Sequence, residues 1–159
     1  KNIDSYQEAF DLLFKSVVHT TSLVIPHMQK NKWGRIINVT SVSVKEPLNY
    51  LVLSNSIRSA VVAWAKSLSV DIGKDGITIN SILTGYFDTE RIKELNKEKS
   101  KSLNISEDEV LEKMKSLVPL NRLGKPEEYG YLVSFLSSDK ASYINGASIP
   151  IDGGLLKSY

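Results

Sequence analysis

The chain has 159 residues, with 20 basic and 18 acidic side chains and no cysteine, a length that suits one domain with a buried core. A net charge of +2 gives no strong field for nucleic acid or an anionic membrane. The lack of thiols excludes disulfides, thiolate catalysis and a zinc–thiolate centre and suits a reducing, cytoplasmic setting; no apolar run approaches the roughly 20 residues needed to cross a bilayer.

Residues 5–29 read as one long helix. Phe10, Leu13, Phe14, Val17, Val18, Thr21, Val24 and Ile25 recur at helical spacing, and the breadth of that stripe implies contact with a sheet and with a second surface. Asp4 or Ser5 offers a cap at its start, and Pro26 falls near its end, where a kink costs least. Residues 34–40 are a short apolar run behind Gly34, the pattern of a buried parallel strand. A second helix follows over 55–72, with Ile57, Val61, Trp64 and Leu68 on one stripe and Gly73 through Gly76 ending it. Ile77 to Ile82 reads as the next strand.

Residues 90–118 are the most polar stretch, with seven acidic and seven basic residues and few large apolar ones. They predict exposed helices, either a solvated hairpin or a lid over a substrate cleft. A further helix over 126–137 opens Pro126-Glu127-Glu128, with acid at the positive end of its dipole. Residues 147–154 predict a last strand, in which Pro150 belongs at an edge because it cannot donate to a ladder. Helices alternating with short apolar strands define an α/β fold with a parallel sheet.

The chemistry concentrates at three positions. Ser41 ends the first strand-like run. Ser54 stands thirteen residues later, and Arg58 four after that, on the same helix face as Ser54. The layout resembles the active-site segment of short-chain dehydrogenases/reductases, where these positions hold Ser, Tyr and Lys. Four further motifs lie in register with that family. They are Asp75-Gly76-Ile77-Thr78-Ile79-Asn80; Thr84-Gly85-Tyr86-Phe87-Asp88-Thr89, which resembles the family's Pro-Gly loop with Thr84 in place of proline; Arg122-Leu123-Gly124-Lys125-Pro126-Glu127-Glu128; and Ile151-Asp152-Gly153-Gly154. The similarity covers nearly the whole chain and is nearest the branch resembling 3-oxoacyl-acyl-carrier-protein reductases, including a subgroup without the usual Tyr and Lys.

The resemblance implies the C-terminal part of a Rossmann-like doubly wound parallel sheet, its strands matching the fifth, sixth and seventh. No glycine-rich phosphate loop occurs, and the chain starts Lys1-Asn2-Ile3, so the first half of such a fold is expected on a longer protein. It further implies an oxidoreductase that uses NAD or NADP and acts on a carbonyl or alcohol. Ser41 would bind the substrate oxygen, and Ser54 and Arg58 would stand in the tyrosine and lysine places. Arg58 would hold the nicotinamide ribose or an oxyanion. Gly85, the Phe87 backbone and the Thr89 hydroxyl would meet the cofactor. Family members pack their long helices across subunits, so helices 5–29 and 55–72 are expected to build a homodimer or homotetramer.

The residues carry plainer readings beside these. A serine hydroxyl is a far weaker acid than a phenol, and Arg58 cannot accept a proton, so Ser54 suits orienting an oxygen better than protonating it. Arg58 serves equally to pair a carboxylate or solvent, Ser41 to bond backbone at a strand end, and Thr89 to cap a helix. Leu13 occupies the place of the family's helix asparagine. Tyr50 reads as a cleft wall, Asn80 as structural, and His19 and His27 as surface or packing residues without a metal-spaced partner, so no metal is expected. The rival to an active enzyme is a catalytically inactive family member, a cofactor sensor or interaction protein, or a pure interaction module.

Overall fold

The computed structural model describes residues 2–49 and 51–158. Helix α1 (Ile3–Phe10) passes through a π-helical stretch, Asp11–Lys15, into α2 (Ser16–Asn31). The helical run therefore extends two residues past each end of the expected 5–29. Its cap is Asn2, whose side chain accepts from the Ser5 N–H at 3.1 Å, so Asp4 and Ser5 lie inside the first turn. At the far end Lys32 turns into the left-handed region at φ 50°, and its N–H closes on Gln29 C=O. Leu13 falls in the π stretch, where one residue more per turn shifts the stripe read from the sequence.

Three strands follow: β1 (Gly34–Val39), β2 (Ile77–Thr84) and β3 (Ser148–Ile151). They pair in parallel in the order β1-β2-β3, with Ile36 opposite Ile79 and Ile82 opposite Ile149. β2 is buried along nearly all its length, which explains its unbroken apolar and small-polar run. One face packs Ile36, Ile77 and Ile79 against Ala65 and Ile72 of α3 (Val52–Ile72), with Ile25, Met28, Trp64 and Leu68 around them. The other face packs Ile82 against Leu136 and the inward stripe of α6 (Pro126–Leu136). The sheet is thus covered by helices on both sides, as the α/β reading requires.

The boundaries differ from expectation where local signals are weak. α3 starts at Val52 rather than 55, behind Leu51, which makes no side-chain cap. Asn55 instead holds the entry by donating from Nδ2 to Leu48 C=O at 2.8 Å. β2 continues to Thr84, and the last strand is limited to 148–151. Pro150 lies on β3, an edge strand that pairs only with β2 among the described residues. The outer edge of β1 has no ladder partner among the described residues, and Asn38 there is buried with Nδ2 unbonded.

Two asparagines tie the end of the chain to the sheet. Asn80, 1% exposed, donates from Nδ2 to Ile144 C=O at 2.8 Å and accepts from Ala147 N–H at 2.9 Å. Asn145 accepts from Ile79 N–H at 3.0 Å and donates to Ser69 C=O at 2.9 Å. The polar stretch is a helical pair, α4 (Glu90–Leu103) and α5 (Glu107–Ser116), the second opened by a reciprocal Ser106–Glu109 cap.

Candidate active site

In a doubly wound sheet, ligands meet the carboxyl ends of the strands, and the predicted residues gather there. β1 ends at Val39, and Arg58 reaches it from the first turns of α3, donating from Nη1 to Val39 C=O at 3.2 Å. The same guanidinium donates from Nε to Ser54 Oγ at 3.2 Å. The i,i+4 spacing predicted that pair. Its effect is to fix the serine hydroxyl as an acceptor and the arginine above the strand end. Arg58 is half-buried and, among the described residues, pairs with no carboxylate and makes no bond through Nη2.

Ser41 follows two residues after Val39. Its side chain accepts from Ser43 N–H at 3.1 Å and caps the short 3-10 turn Val42–Val44. That acceptor role leaves its hydroxyl proton free to donate. Glu46, just beyond, accepts the backbone N–H groups of Lys157 and Ser158 at 2.8 and 2.7 Å, and those bonds hold its carboxyl below the ordinary range. The end of the chain is thereby laid against the loop that carries Ser41. Tyr50 lies outside the described residues. His19 and His27 are exposed on α2, and no group of three His, Cys, Asp or Glu able to hold a metal occurs among the described residues.

The second wall is the loop from Thr84 to Thr89. Gly85 is required by close approach: a Cβ there would lie 2.6 Å from Asp152 Cα, while its N–H bonds Ile151 C=O at 3.0 Å. Phe87 is buried and forms a parallel bridge with Gly124. Gly124 N–H bonds Tyr86 C=O and Asp88 N–H bonds Gly124 C=O, both at 2.9 Å. That arrangement leaves the Phe87 N–H on the opposite side, with no partner among the described residues. Thr89 Oγ1 accepts from Ile92 N–H at 3.4 Å and caps α4. A cavity of about 250 Å³ lies between this loop and Ile151 to Gly153.

Arg122 and Glu128 brace the base of this cavity with paired bonds of 2.8 and 2.7 Å. Arg122, together with the Lys125 N–H, lowers the Glu128 carboxyl from 4.5 to about 2. A carboxylate depressed on folding stabilises the fold fully above its unfolded value and loses that contribution as pH falls through its folded value. Glu128→Gln is therefore expected to flatten the loss of stability between pH 4.5 and about 2, read as melting temperature against pH. An unchanged acid limb would show that the pair is too solvated to couple to folding.

The sequence reading missed Tyr129. Its phenol shares a 3.1 Å hydrogen bond with Thr84 Oγ1, and its ring meets Phe87 edge-on at 5.3 Å. A signal was present: Tyr129, Leu132, Val133 and Leu136 follow helical spacing, and a polar-tipped aromatic on an aliphatic inward stripe implies a specific partner. Glu46 and Asn145 were also missed, and nothing local in the sequence marks them.

Comparison with known proteins agrees with this fold. Residues 2–156 match the family model described as enoyl-(acyl carrier protein) reductase. The NADPH-dependent reductase BacG of Bacillus subtilis is 34% identical over 131 residues, 82% of this chain and 51% of the relative. The 3-oxoacyl-[acyl-carrier-protein] reductase FabG of Pseudomonas aeruginosa is 29% identical over 98% of this chain and 58% of its own length. Among solved structures, YwfH, an NADPH-dependent reductase involved in bacilysin biosynthesis, superposes with a TM-score of 0.94 at 28% identity, over 100% of this chain and 61% of that one. L-sorbose reductase from Gluconobacter frateurii, solved with NADPH and L-sorbose, gives 0.93 at 28% identity, with the same coverage. The chain thus spans about half to three-fifths of these relatives. With the family model covering nearly all of it, the chain belongs to the short-chain dehydrogenases/reductases.

Proposed function

We propose that this chain is the substrate- and nicotinamide-binding part of an NAD(P)-dependent oxidoreductase that acts on a carbonyl or alcohol with an atypical Ser41, Ser54 and Arg58 site. The observation that carries it is Arg58, bonded to Ser54 Oγ and to the end of β1, with no further bond from its guanidinium among the described residues. A fixed cation beside the Ser54 hydroxyl, at the end of the strand that leads to Ser41, suits an oxygen that gains negative charge during hydride transfer. Ser41 would donate to that oxygen and Ser54 would orient Arg58 and the substrate.

The cofactor fits the second wall. Gly85 lets backbone approach closely, and the Phe87 N–H, without a partner among the described residues, suits a carboxamide acceptor. Thr89 stands at the N-terminus of α4, where a phosphate is favoured. When bound, the nicotinamide would supply or accept the hydride; the protein would orient it and exclude water.

The α4–α5 pair serves as a lid over the substrate. A cavity of about 530 Å³ beneath it is lined by Ile92, Asn96, Leu111 and Leu123. Exposed Leu12, Leu23, Val52 and Val70 on the long helices support assembly as a homodimer or homotetramer. No described helix is long and apolar enough to cross a membrane, and the lack of thiols supports a cytoplasmic setting.

A second reading, a catalytically inactive sensor, has one observation in its favour: neither Ser41 nor Ser54 is an effective acid at neutral pH. The first test is a fluorescence titration of NADH and NADPH into the intact protein. Saturable binding of one of them is expected. Failure to bind either overturns the cofactor reading and leaves an interaction protein.

A further inference from the structure

Tyr129 stands in the first turn of α6, on the stripe that packs over Ile82. Its neighbours on that stripe, Leu132, Val133 and Leu136, are aliphatic. Tyr129 alone carries a polar group into this layer, and the group has a specific partner. Thr84, the last residue of β2, shares the 3.1 Å bond and directly precedes Gly85.

The ring acts at a second point on the same loop. It meets Phe87 at 83°, with centroids 5.3 Å apart. Phe87 is wedged from behind by Gly124, where a Cβ would lie 2.7 Å from the ring. One side chain therefore grips both ends of the turn from Thr84 to Phe87, its hydroxyl at the first and its ring edge at the second. Burial raises the Tyr129 phenol above its usual range, while Thr84 and the Arg58 charge offset part of that rise. The phenol stays protonated at neutral pH, within the electrostatic reach of Arg58.

We propose that Tyr129 is a positioning residue that holds the Thr84–Thr89 loop in the pose that receives the nicotinamide end of the cofactor. The proposal rests on the cofactor reading above. It acts through Thr84 and Phe87, because the loop groups offered to the cofactor, the Phe87 N–H and the Thr89 hydroxyl, lie on the segment that Tyr129 clamps.

Calorimetric titration of the intact protein tests it with two ligands. NADPH carries the nicotinamide; 2′-phospho-ADP-ribose has the same adenosine end without it. If NADH is the preferred nucleotide, NADH and ADP-ribose take their places. Tyr129→Phe keeps the ring contact with Phe87 and removes the hydroxyl. It is expected to weaken NADPH binding by about three- to tenfold, the size of one lost neutral hydrogen bond, and to weaken 2′-phospho-ADP-ribose, which keeps the phosphates that face Thr89 but lacks the carboxamide that faces the Phe87 N–H, by less. Thr84→Val should produce the same loss, and the double variant no further loss, because both remove one shared bond. Unchanged NADPH binding in Tyr129→Phe overturns the proposal. Equal weakening of both ligands does so too, since it marks a general loss of structure. An unmutated protein that binds neither dinucleotide overturns the cofactor reading itself, a result distinguishable because it appears before any variant is made.

Discussion

The double substitution Ser54→Tyr, Arg58→Lys is expected to raise carbonyl-reductase turnover of the intact protein by about 100-fold or more, the contribution of a well-placed general acid. The argument starts from acidity. A serine hydroxyl does not release a proton to a forming alkoxide near neutral pH, whereas a phenol beside an ammonium group does so far more readily. Position 54 lies in the first turn of α3, half-buried and one helical turn from residue 58. The i,i+4 face that now joins Ser54 to Arg58 would place a phenol beside the lysine ammonium. The measurement is NADPH oxidation over a panel of ketones, aldehydes and 3-oxoacyl thioesters, with each single variant as a control. A double variant no faster than the native protein on every substrate would show that acid strength is not what limits this site.

The largest expected effect on stability is at Asn80. Removing its amide with Asn80→Ala leaves Ile144 C=O and Ala147 N–H without their partner at a site almost sealed from solvent. Two orphaned backbone groups cost about 2–5 kcal/mol together, against a total stability of roughly 5–15 kcal/mol. The melting temperature should fall by roughly 5–15 °C for a domain of this size. A loss under about 0.5 kcal/mol, as for an ordinary surface substitution, would mean that water replaces the side chain and that the 144–147 segment is not held by it. The expected loss is large because Asn80 joins two parts of the chain 64 and 67 residues apart and no neighbouring side chain duplicates its two bonds.

Much of the fold was legible because its core strands announce themselves. Ile77 to Thr84 is buried on both faces, so its side chains need no alternation, and a continuous apolar run beside a glycine turn is sufficient signal. Gly34 to Val39 was legible by the same glycine and Ile36-Ile37 signal, although its burial alternates along the strand and Val39 is exposed. The start of α3 was not legible: Leu51, Val52 and Leu53 carry no capping side chain, and the bond that fixes the entry comes from Asn55 back to Leu48. The π-helical stretch was hidden too, since one extra residue per turn leaves composition unchanged. Of the site, the Ser54–Arg58 pair followed from spacing alone. The Phe87–Gly124 bridge and the Tyr129–Thr84 bond join residues 37 and 45 positions apart, and nothing local encodes such meetings. The Glu46 clasp spans 111 and 112 positions and is further still from any periodic signal.

The parallel order of the strands also governs when this structure becomes complete during synthesis. Each crossover must be made before its strand can pair, and such distant pairings form slowly. β2 meets β1 only after α3 has emerged, and it keeps an open edge while α4, α5 and α6 are being made. Its second partner, β3, follows all three of those helices, so Ile82 finds Ile149 only after they have been made. Until then the most deeply buried of the described strands has one row of backbone groups unpaired, the condition that invites pairing with another chain. Codon changes or truncations that delay residues 144–151 should therefore favour aggregation over folding, even though those residues lie outside the Ser41, Ser54 and Arg58 site.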